Sequence, residues 1–373
     1  MRQVIVDDQV FRGDEAFAFG GRVRVLSVPA EAIGPGLLRE TRADALIIRS
    51  TTRVDDTLLD GCSLEFLGTA TVGEDHIVHE ALHRRGIAYR AAPGSSAGSV
   101  AEFTLAVIHL ALERLGRATD DVVLGVVGAG RIGERVARAG ESLGWTVIRH
   151  DPPLAERTGD GLRYAPRGAL EGANIVSLHV PLVVEGPHRT QAMVDEGFLE
   201  ALSPGTLLVN TSRGTVIDEA ALLRGRSRLG GLVLDVFPGE PRPSKELLQA
   251  CDLATPHVAG RSLEGMLAGT CMVARSLAEL WDLPTPELPL PPKDAGPAPR
   301  AQTPAELVRA LWDLETLSAE LQADPRVFKS LRRRRPLRRD LSALCPRVAS
   351  PERLRRFVET LAACHAPLRP RDA

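Results

Sequence analysis

Three stretches of this sequence end in residues that could share one piece of chemistry. "LLVNTSRG" ends at Arg213 and its glycine, "LVLDVFPGEP" delivers Asp235 and then Glu240, and "LATPHVAG" places His257 directly after a proline. A guanidinium fork matches a carboxylate bidentately, an imidazole exchanges a proton near neutral pH, and a carboxylate beside it holds the ring. Together they suit oxidation of a 2-hydroxy acid. In that reading Arg213 anchors the C1 carboxylate, His257 takes the hydroxyl proton as C2 gives up its hydride, and Glu240 stabilises the imidazolium. Taken singly, each has a plainer explanation: a solvated arginine, a turn glutamate, a hydrogen-bonded scaffold histidine. Their joint placement after successive apolar runs favours the shared role.

The apolar runs are what must position them. "DVVLGVVG", "WTVIRHD", "ANIVSLHVP", "GTLLVNTS", "GLVLDVF" and "DLATPH" alternate with helical stretches such as 132–143 and 218–225, a doubly wound pattern in which ligands sit beyond the carboxyl ends of the strands. Between its first strand and first helix, "GVVGAGRIGERV" carries Gly128, Gly130 and Gly133 in GxGxxG spacing, with Arg131 and Ile132 inside the turn. The first glycine permits the tight turn, the second lets backbone approach a pyrophosphate, and the third allows close helix–strand packing. The next strand ends at Asp151, 18 residues after Gly133, where a carboxylate can accept from a ribose diol and repel a 2′-phosphate. The expected cofactor is therefore NAD. A strand-end aspartate before Pro152 is also a common turn former.

An earlier cycle of the same kind precedes this one. "QVIVD", "VRVLSV", "ALIIRS", "LEFLGTAT" and "IAYRAAP" read as strands separated by helix-compatible segments. Residues 99–117 and 262–281 are apolar at helical spacing, the first a strut between domains, the second a return into the first domain. The expected division is 1–98 with 262–284, then 99–261, a proline-rich linker at 285–300, and an Arg-rich C-terminal domain at 301–373. That last segment is expected to be largely helical, with a possible strand around 341–345, and too small for an independent core, so that it leans on another subunit. Its "LRRRRPLRR" (331–339) has no interleaved aromatics, which argues against nucleic acid and for a solvated or subunit-facing basic helix.

Composition narrows the function classes. With 373 residues, 44% hydrophobic, the chain can fill two or three cores, and a formal charge of −2 gives no global attraction to nucleic acid or anionic lipid. The five cysteines are odd in number and widely spaced, without CxxC or Cys/His pairs, so neither a disulfide framework nor a metal site is expected. No apolar run reaches membrane-spanning length, and the N-terminus enters a strand without a signal-peptide pattern, so a cytoplasmic protein is expected.

Across roughly 1–285, "GAGRIG", "DPP", "HVPL", "VNTSRG", "LDVFPGEP" and "TPHVAG" resemble the D-isomer-specific 2-hydroxyacid dehydrogenases. The resemblance implies a flavodoxin-like substrate domain, a Rossmann NAD domain and the roles given above for Arg213, Glu240 and His257. It implies cofactor contacts at Val180, Thr211, Ser212, Asp235 and Gly260, and substrate contacts at Ser50 and Thr71. "RSTTRV", "FLGTATVGEDH", "AAPGSSA", "DPPLAERTGD" and "HVAGRSLEG" narrow the likeness to a branch that acts on a phosphorylated 2-hydroxy acid. There the extra tail implies a small α+β dimerisation domain and a homodimer.

We add Arg49, which with Ser50 and Thr71 follows first-domain strands and could cradle a phosphate; ordinary strand-end capping is the plainer alternative. Two positions depart from the family pattern. Arg261 stands where a substrate-contacting tyrosine is expected, and Ser96 replaces an asparagine. Arg261 either strengthens phosphate binding or marks another anionic substrate. Two alternatives stay open: a relative acting on a different 2-hydroxy acid such as 3-phosphoglycerate or glycerate, and a non-catalytic NAD(H)-sensing protein whose Arg-rich tail binds a partner.

Overall fold

The computed structural model describes residues 1–290, 300–334, 337–344 and 352–368. By internal contacts the chain divides into two units, residues 1–96 with 263–292 and residues 97–262 with 293–373. The greater part of the proline-rich segment expected at 285–300 lies outside the described residues.

In the first unit five strands, β1 (Gln3–Asp7), β2 (Arg24–Val28), β3 (Ala45–Ile48), β4 (Phe66–Thr69) and β5 (Ala88–Arg90), pair in parallel in the order β2-β1-β3-β4-β5. Val4, Ile5, Leu46, Ile47 and Leu67 are fully or almost fully buried, as expected of a parallel sheet covered on both faces. The helix Leu263–Trp281 belongs to this unit: Thr270 Oγ1 donates to the Phe11 carbonyl at 2.9 Å, and Val273 packs so closely on β4 that a Cβ at Gly68 would lie 2.3 Å from it.

The second unit holds β6 (Val123–Val127), β7 (Thr146–His150), β8 (Ile175–Leu178), β9 (Leu207–Asn210), β10 (Gly231–Leu234) and β11 (Leu253–Ala254), all parallel in the order β11-β10-β9-β8-β6-β7. Strand order reverses between β6 and β8, the switch point where such sheets bind ligands. All eleven strands correspond to the apolar runs read from the sequence.

Three features of the C-terminal segment bear on what was expected of it. Its described residues are helical, and the strand expected around 341–345 is instead a helical turn, Leu341–Leu344; Cys345 lies outside the described residues. The reason is a long-range partner: the buried Glu102 carboxylate accepts from the Leu341 N–H at 2.7 Å and the Ser342 N–H at 3.3 Å, satisfying donors at the start of the turn. Second, the segment packs on its own chain. Trp312, Leu354, Phe357 and Leu361 join the core around the helix Ala97–Arg114, while Leu321, Phe328 and Leu331 join the one beneath Phe237. Burying side chains of this size stabilises by roughly 1.5–3 kcal/mol each, which supplies the core that so short a segment lacks alone. Third, the basic run 331–339 is only partly solvated: Leu331 and Leu337 are buried and the Arg338 guanidinium lies 4.4 Å from the Trp312 ring centre, while Arg334, paired with Glu320, is exposed. Residues 335–336 of that run lie outside the described residues.

The helix Leu314–Ala323 also covers the edge of the second sheet, where Ser318 Oγ accepts from the Ala254 N–H at 2.9 Å. Among the described residues Cys62, Cys251, Cys271 and Cys364 are free, no cluster has metal-ligand geometry, and no helix is long and apolar enough to cross a membrane.

Candidate active site

The glycine turn is built by steric exclusion. Gly128 has φ +85°, a conformation that disfavours side chains, and a Cβ there would sit 2.8 Å from Val180 Cγ1. A Cβ at Gly133 would sit 1.8 Å from the Gly128 carbonyl oxygen, so this residue must be glycine for the helix Gly133–Leu143 to start where it does. At Gly130 the same test meets nothing within 4 Å, which leaves backbone open to an incoming group. Arg131 is exposed and Ile132 half-buried in this turn. The arrangement fits a dinucleotide, with Val180 against the turn.

Asp151 serves the turn from β7. Its Oδ2 accepts from the Ala129 N–H at 2.8 Å and its Oδ1 from the Leu154 N–H at 2.9 Å, capping the helix Pro152–Thr158. Both plain and functional readings of this residue therefore have a place, since each oxygen keeps an acceptor position for a ribose hydroxyl.

At the other strand ends, His257 has φ +54°, uncommon for a residue with a side chain and a conformation that costs of order 1–3 kcal/mol. Its N–H donates to the Asp235 carbonyl at 2.7 Å, and its Nδ1 lies 2.8 Å from Glu240 Oε2. The second Glu240 oxygen accepts from the Phe237 N–H at 2.9 Å. Burial alone would raise the Glu240 pKa; the His257 charge and hydrogen bond, helped by the Phe237 N–H and the Arg332 charge, outweigh it and hold the carboxyl below its ordinary value. A carboxylate so fixed sets the ring's orientation and tautomer and leaves Nε2 to exchange a proton.

Asp235 is fully buried and anchors the loop that follows. Oδ1 accepts from Thr255 Oγ1 at 2.6 Å and the Val258 N–H at 2.8 Å, and Oδ2 accepts from the Ala259 N–H at 2.9 Å. Burial pushes its pKa up, against the opposing pull of the His257 charge and these donors. One acceptor position on Oδ2 is left beyond this scaffold. Gly260 and the buried Arg261 continue the loop, and the Arg261 N–H closes a turn on the Val258 carbonyl at 2.8 Å.

Arg213 lies just past β9. Asn210 fixes the turn, accepting from the Ser212 N–H at 2.9 Å and from Ser212 Oγ at 2.7 Å, and donating to the Arg213 carbonyl at 3.0 Å. Thr211 Oγ1 lies 3.2 Å from Thr104 Oγ1. A Cβ at Gly214 would sit 2.0 Å from the Phe237 carbonyl, so the "RG" pair lets the Arg213 turn lie directly against the loop that carries Glu240. Arg213, Glu240 and His257 thus stand on neighbouring turns of one sheet end.

In the first unit, Arg49 is buried beyond β3 and donates to the Ala70 carbonyl at 3.3 Å, Ser50 is exposed, and Thr71 Oγ1 lies 2.8 Å from Thr69 Oγ1. They occupy adjacent strand ends at that sheet's own switch between β1 and β3 and one strand beyond. The sequence reading missed Asn210 and Thr255, whose roles are visible only as hydrogen bonds, and Arg332 and Arg338. "VNTSRG" contains the only local signal for the first of them.

Residues 107–259 match the family model described as "D-isomer specific 2-hydroxyacid dehydrogenase, NAD binding domain". An erythronate-4-phosphate dehydrogenase of Azotobacter vinelandii is 37% identical over 97% of this chain and 99% of its own length. One from Salinibacter ruber is 41% identical over 74% of this chain and 71% of its own. Among solved structures, D-lactate dehydrogenase of Aquifex aeolicus, crystallised with NAD and lactic acid, superposes with a TM-score of 0.63 at 24% identity, covering 75% of this chain and 96% of that one.

Proposed function

We infer the reaction from a premise of kinship: this chain belongs to the D-isomer specific 2-hydroxyacid dehydrogenase family, among the erythronate-4-phosphate dehydrogenases. It is an NAD-dependent oxidoreductase that converts 4-phospho-D-erythronate to 2-oxo-3-hydroxy-4-phosphobutanoate, a step toward pyridoxal 5′-phosphate. The observation that carries the reading is the 2.8 Å contact between His257 Nδ1 and Glu240 Oε2, with the other Glu240 oxygen held by backbone. A protein that only senses NAD(H) needs the glycine turn but not this relay.

In the forward direction His257 Nε2 takes the hydroxyl proton as the C2–O bond becomes a carbonyl, and Glu240 balances the imidazolium that forms. Bound NAD supplies the hydride acceptor for the hydrogen on C2. Arg213 holds the C1 carboxylate and thereby fixes which hydrogen is presented. Gly128, Gly130 and Gly133, with Arg131 and Ile132, receive the diphosphate, and Asp151 the adenosine ribose. Val180, Thr211, Ser212, Gly260 and the remaining acceptor position of Asp235 complete the cofactor's contacts. Arg49, Ser50 and Thr71 are assigned to the substrate phosphate, and Arg261 is a separate candidate for an anionic group of the substrate.

Free thiols throughout the described residues accord with a cytoplasmic location. The tail falls largely within the length shared with the Azotobacter protein, and we infer that two copies of the chain pair through it. Light scattering on the purified chain tests the dimer. The activity is tested by NAD-coupled oxidation assays: 4-phosphoerythronate should be turned over faster than 3-phosphoglycerate, glycerate or lactate. Equal or lower turnover would sink the assignment, and Arg261→Tyr would show whether that arginine sets the preference.

A further inference from the structure

The loop 257–262 is gripped on both sides, and one grip comes from far away in sequence. Asp235 takes its N–H groups. Its carbonyls go to the C-terminal segment: Arg332 Nε donates to the His257 carbonyl at 3.3 Å, and Arg338 Nη2 donates to the carbonyls of Val258, at 3.4 Å, and Ala259. Arg338 also pairs with Ser262 in a parallel bridge, and Ser262 Oγ lies 2.7 Å from Ser99 Oγ, which donates to Asp340 Oδ2 at 2.8 Å.

The arginines are themselves fixed. The helix Phe328–Arg332 is seated by Phe328, edge-on to Phe237 with ring centres 6.3 Å apart, and Phe237 supplies the N–H that holds Glu240. The Arg338 guanidinium lies against the stacked pair of Phe103 and Trp312, 5.2 and 4.4 Å from their ring centres. The charged groups acting on the His257–Glu240 pair include Asp235 from the end of β10 and Arg332 from the C-terminal segment.

We propose that Arg332 is a positioning residue for the proton relay: the C-terminal segment reaches under His257, holds its backbone carbonyl in the left-handed conformation, and places a cation beside Glu240, while Arg338 pins the next two carbonyls. The inference rests on the reading of His257 as the proton acceptor, but its geometry does not depend on which hydroxy acid is oxidised. Without the Arg332 cation, Glu240 accepts a proton at higher pH, so the coupled pair leaves its working state earlier on acidification.

The test compares full-length wild type, Arg332→Leu and Arg332→Lys. In Arg332→Leu we expect kcat to fall about 10- to 100-fold, as a small misplacement of a reacting group does. NADH affinity by fluorescence titration should stay within about twofold, since the glycine turn is untouched, and the acid limb of the rate profile should move up by about half a pH unit or more. Arg332→Lys should restore the limb while leaving kcat depressed, because the charge returns without the fork.

A substrate-independent readout separates this proposal from the assignment of the reaction: the rate of His257 acylation by diethyl pyrocarbonate at fixed pH, mapped by mass spectrometry. That rate should change in Arg332→Leu, where the ring's backbone is no longer held. An Arg332→Leu protein with unchanged kcat, acid limb and acylation rate would overturn the proposal. Should that variant not fold, an Arg332→Lys protein with wild-type kcat would overturn it equally. If wild type oxidises no hydroxy acid tested, the assigned reaction fails and the acylation rate still decides the role of Arg332.

Discussion

The turn after β6 and the loop after β11 both present backbone beyond a parallel strand, yet they are held in different ways. The first is set by what is missing: glycines at 128 and 133 leave room that any side chain would fill, and its side-chain supports come from close by, Asp151 on the adjacent strand and Arg135 in the helix that follows, whose Nη1 donates to the Arg131 carbonyl at 2.7 Å. The second contains an imidazole in a left-handed conformation, and it is held by side chains: Asp235 from the next strand and two arginines roughly 75 to 80 residues farther along the chain. A cradle for a cofactor can be written locally. A relay that must hold one proton-carrying ring against strain draws on the whole unit.

The largest effect should come from the ring. Replacing His257 by Ala is expected to lower kcat by about 10²- to 10⁴-fold, the usual contribution of a positioned acid or base, while NADH still binds with wild-type affinity in a fluorescence titration. Loss of NADH binding in the same variant would show that loop and turn are not separable, and the contrast drawn above would fall.

The complementary change strikes the turn. Gly133→Ala puts a methyl group 1.8 Å from the Gly128 carbonyl oxygen, so helix or turn must shift. Overpacking of this kind costs about 1–3 kcal/mol, and we expect it to appear as weakened NAD affinity by calorimetry with the His257 acylation rate unchanged. A variant that binds NAD normally would mean the turn is looser than its geometry indicates.

This difference also explains what could be read from the sequence. Every strand was legible, because runs such as "VLGVV" and "LLVN" are short, almost entirely apolar and bounded by glycine, proline or polar residues. The placement of Arg213, Glu240 and His257 at neighbouring strand ends was legible because each follows its strand within a few residues. Arg332 and Arg338 were not. An arginine-rich run with a single acid at its end, Asp340, and no aromatic residue within it has the composition of a solvated face, and only the packing of Phe328 on Phe237 and of Arg338 against Phe103 and Trp312 turns it inward. The turn at 341–344 failed for the same reason: its cap is Glu102, more than two hundred residues earlier. Asp235 was expected at the cofactor, and the structure adds a scaffold role that spacing alone does not reveal.

Acid should loosen the distant attachment before the local one. His109, buried in the helix Ala97–Arg114, stacks on Trp145 at 5.5 Å and meets Phe357 of the C-terminal segment at 4.6 Å. Burial lowers its pKa to about 4, the Arg353 charge adding to this and the hydrogen bond to the Leu105 carbonyl opposing it. Because the folded value lies below the unfolded one of about 6.5, the neutral ring stabilises the protein above that pH, and the contribution is lost as pH falls toward 4. Between pH 7 and 5 this amounts to about 2 kcal/mol. Hydrogen exchange should show helix Glu352–Ala363 losing protection over that interval while the helix Gly133–Leu143 keeps more of it, and His109→Gln should flatten the dependence. Equal loss in both helices would remove the distinction.

The smallest expected effect tests whether the local cradle also selects its ligand. Asp151 caps one helix and ties down the Ala129 N–H, tasks that asparagine can largely perform, since it too is a good N-cap. What Asp151→Asn removes is the charge, and one acceptor oxygen with it. If the carboxylate serves only the turn, the variant should lose a few tenths of a kcal/mol of stability and bind NAD and NADP in their original ratio. If it also receives the adenosine ribose, NAD should weaken by about 1 kcal/mol, the scale of one net hydrogen bond, while the charge repulsion against a 2′-phosphate disappears and NADP gains. Competitive titration of the two cofactors against the same variant separates these outcomes, and we expect the ratio to move toward NADP.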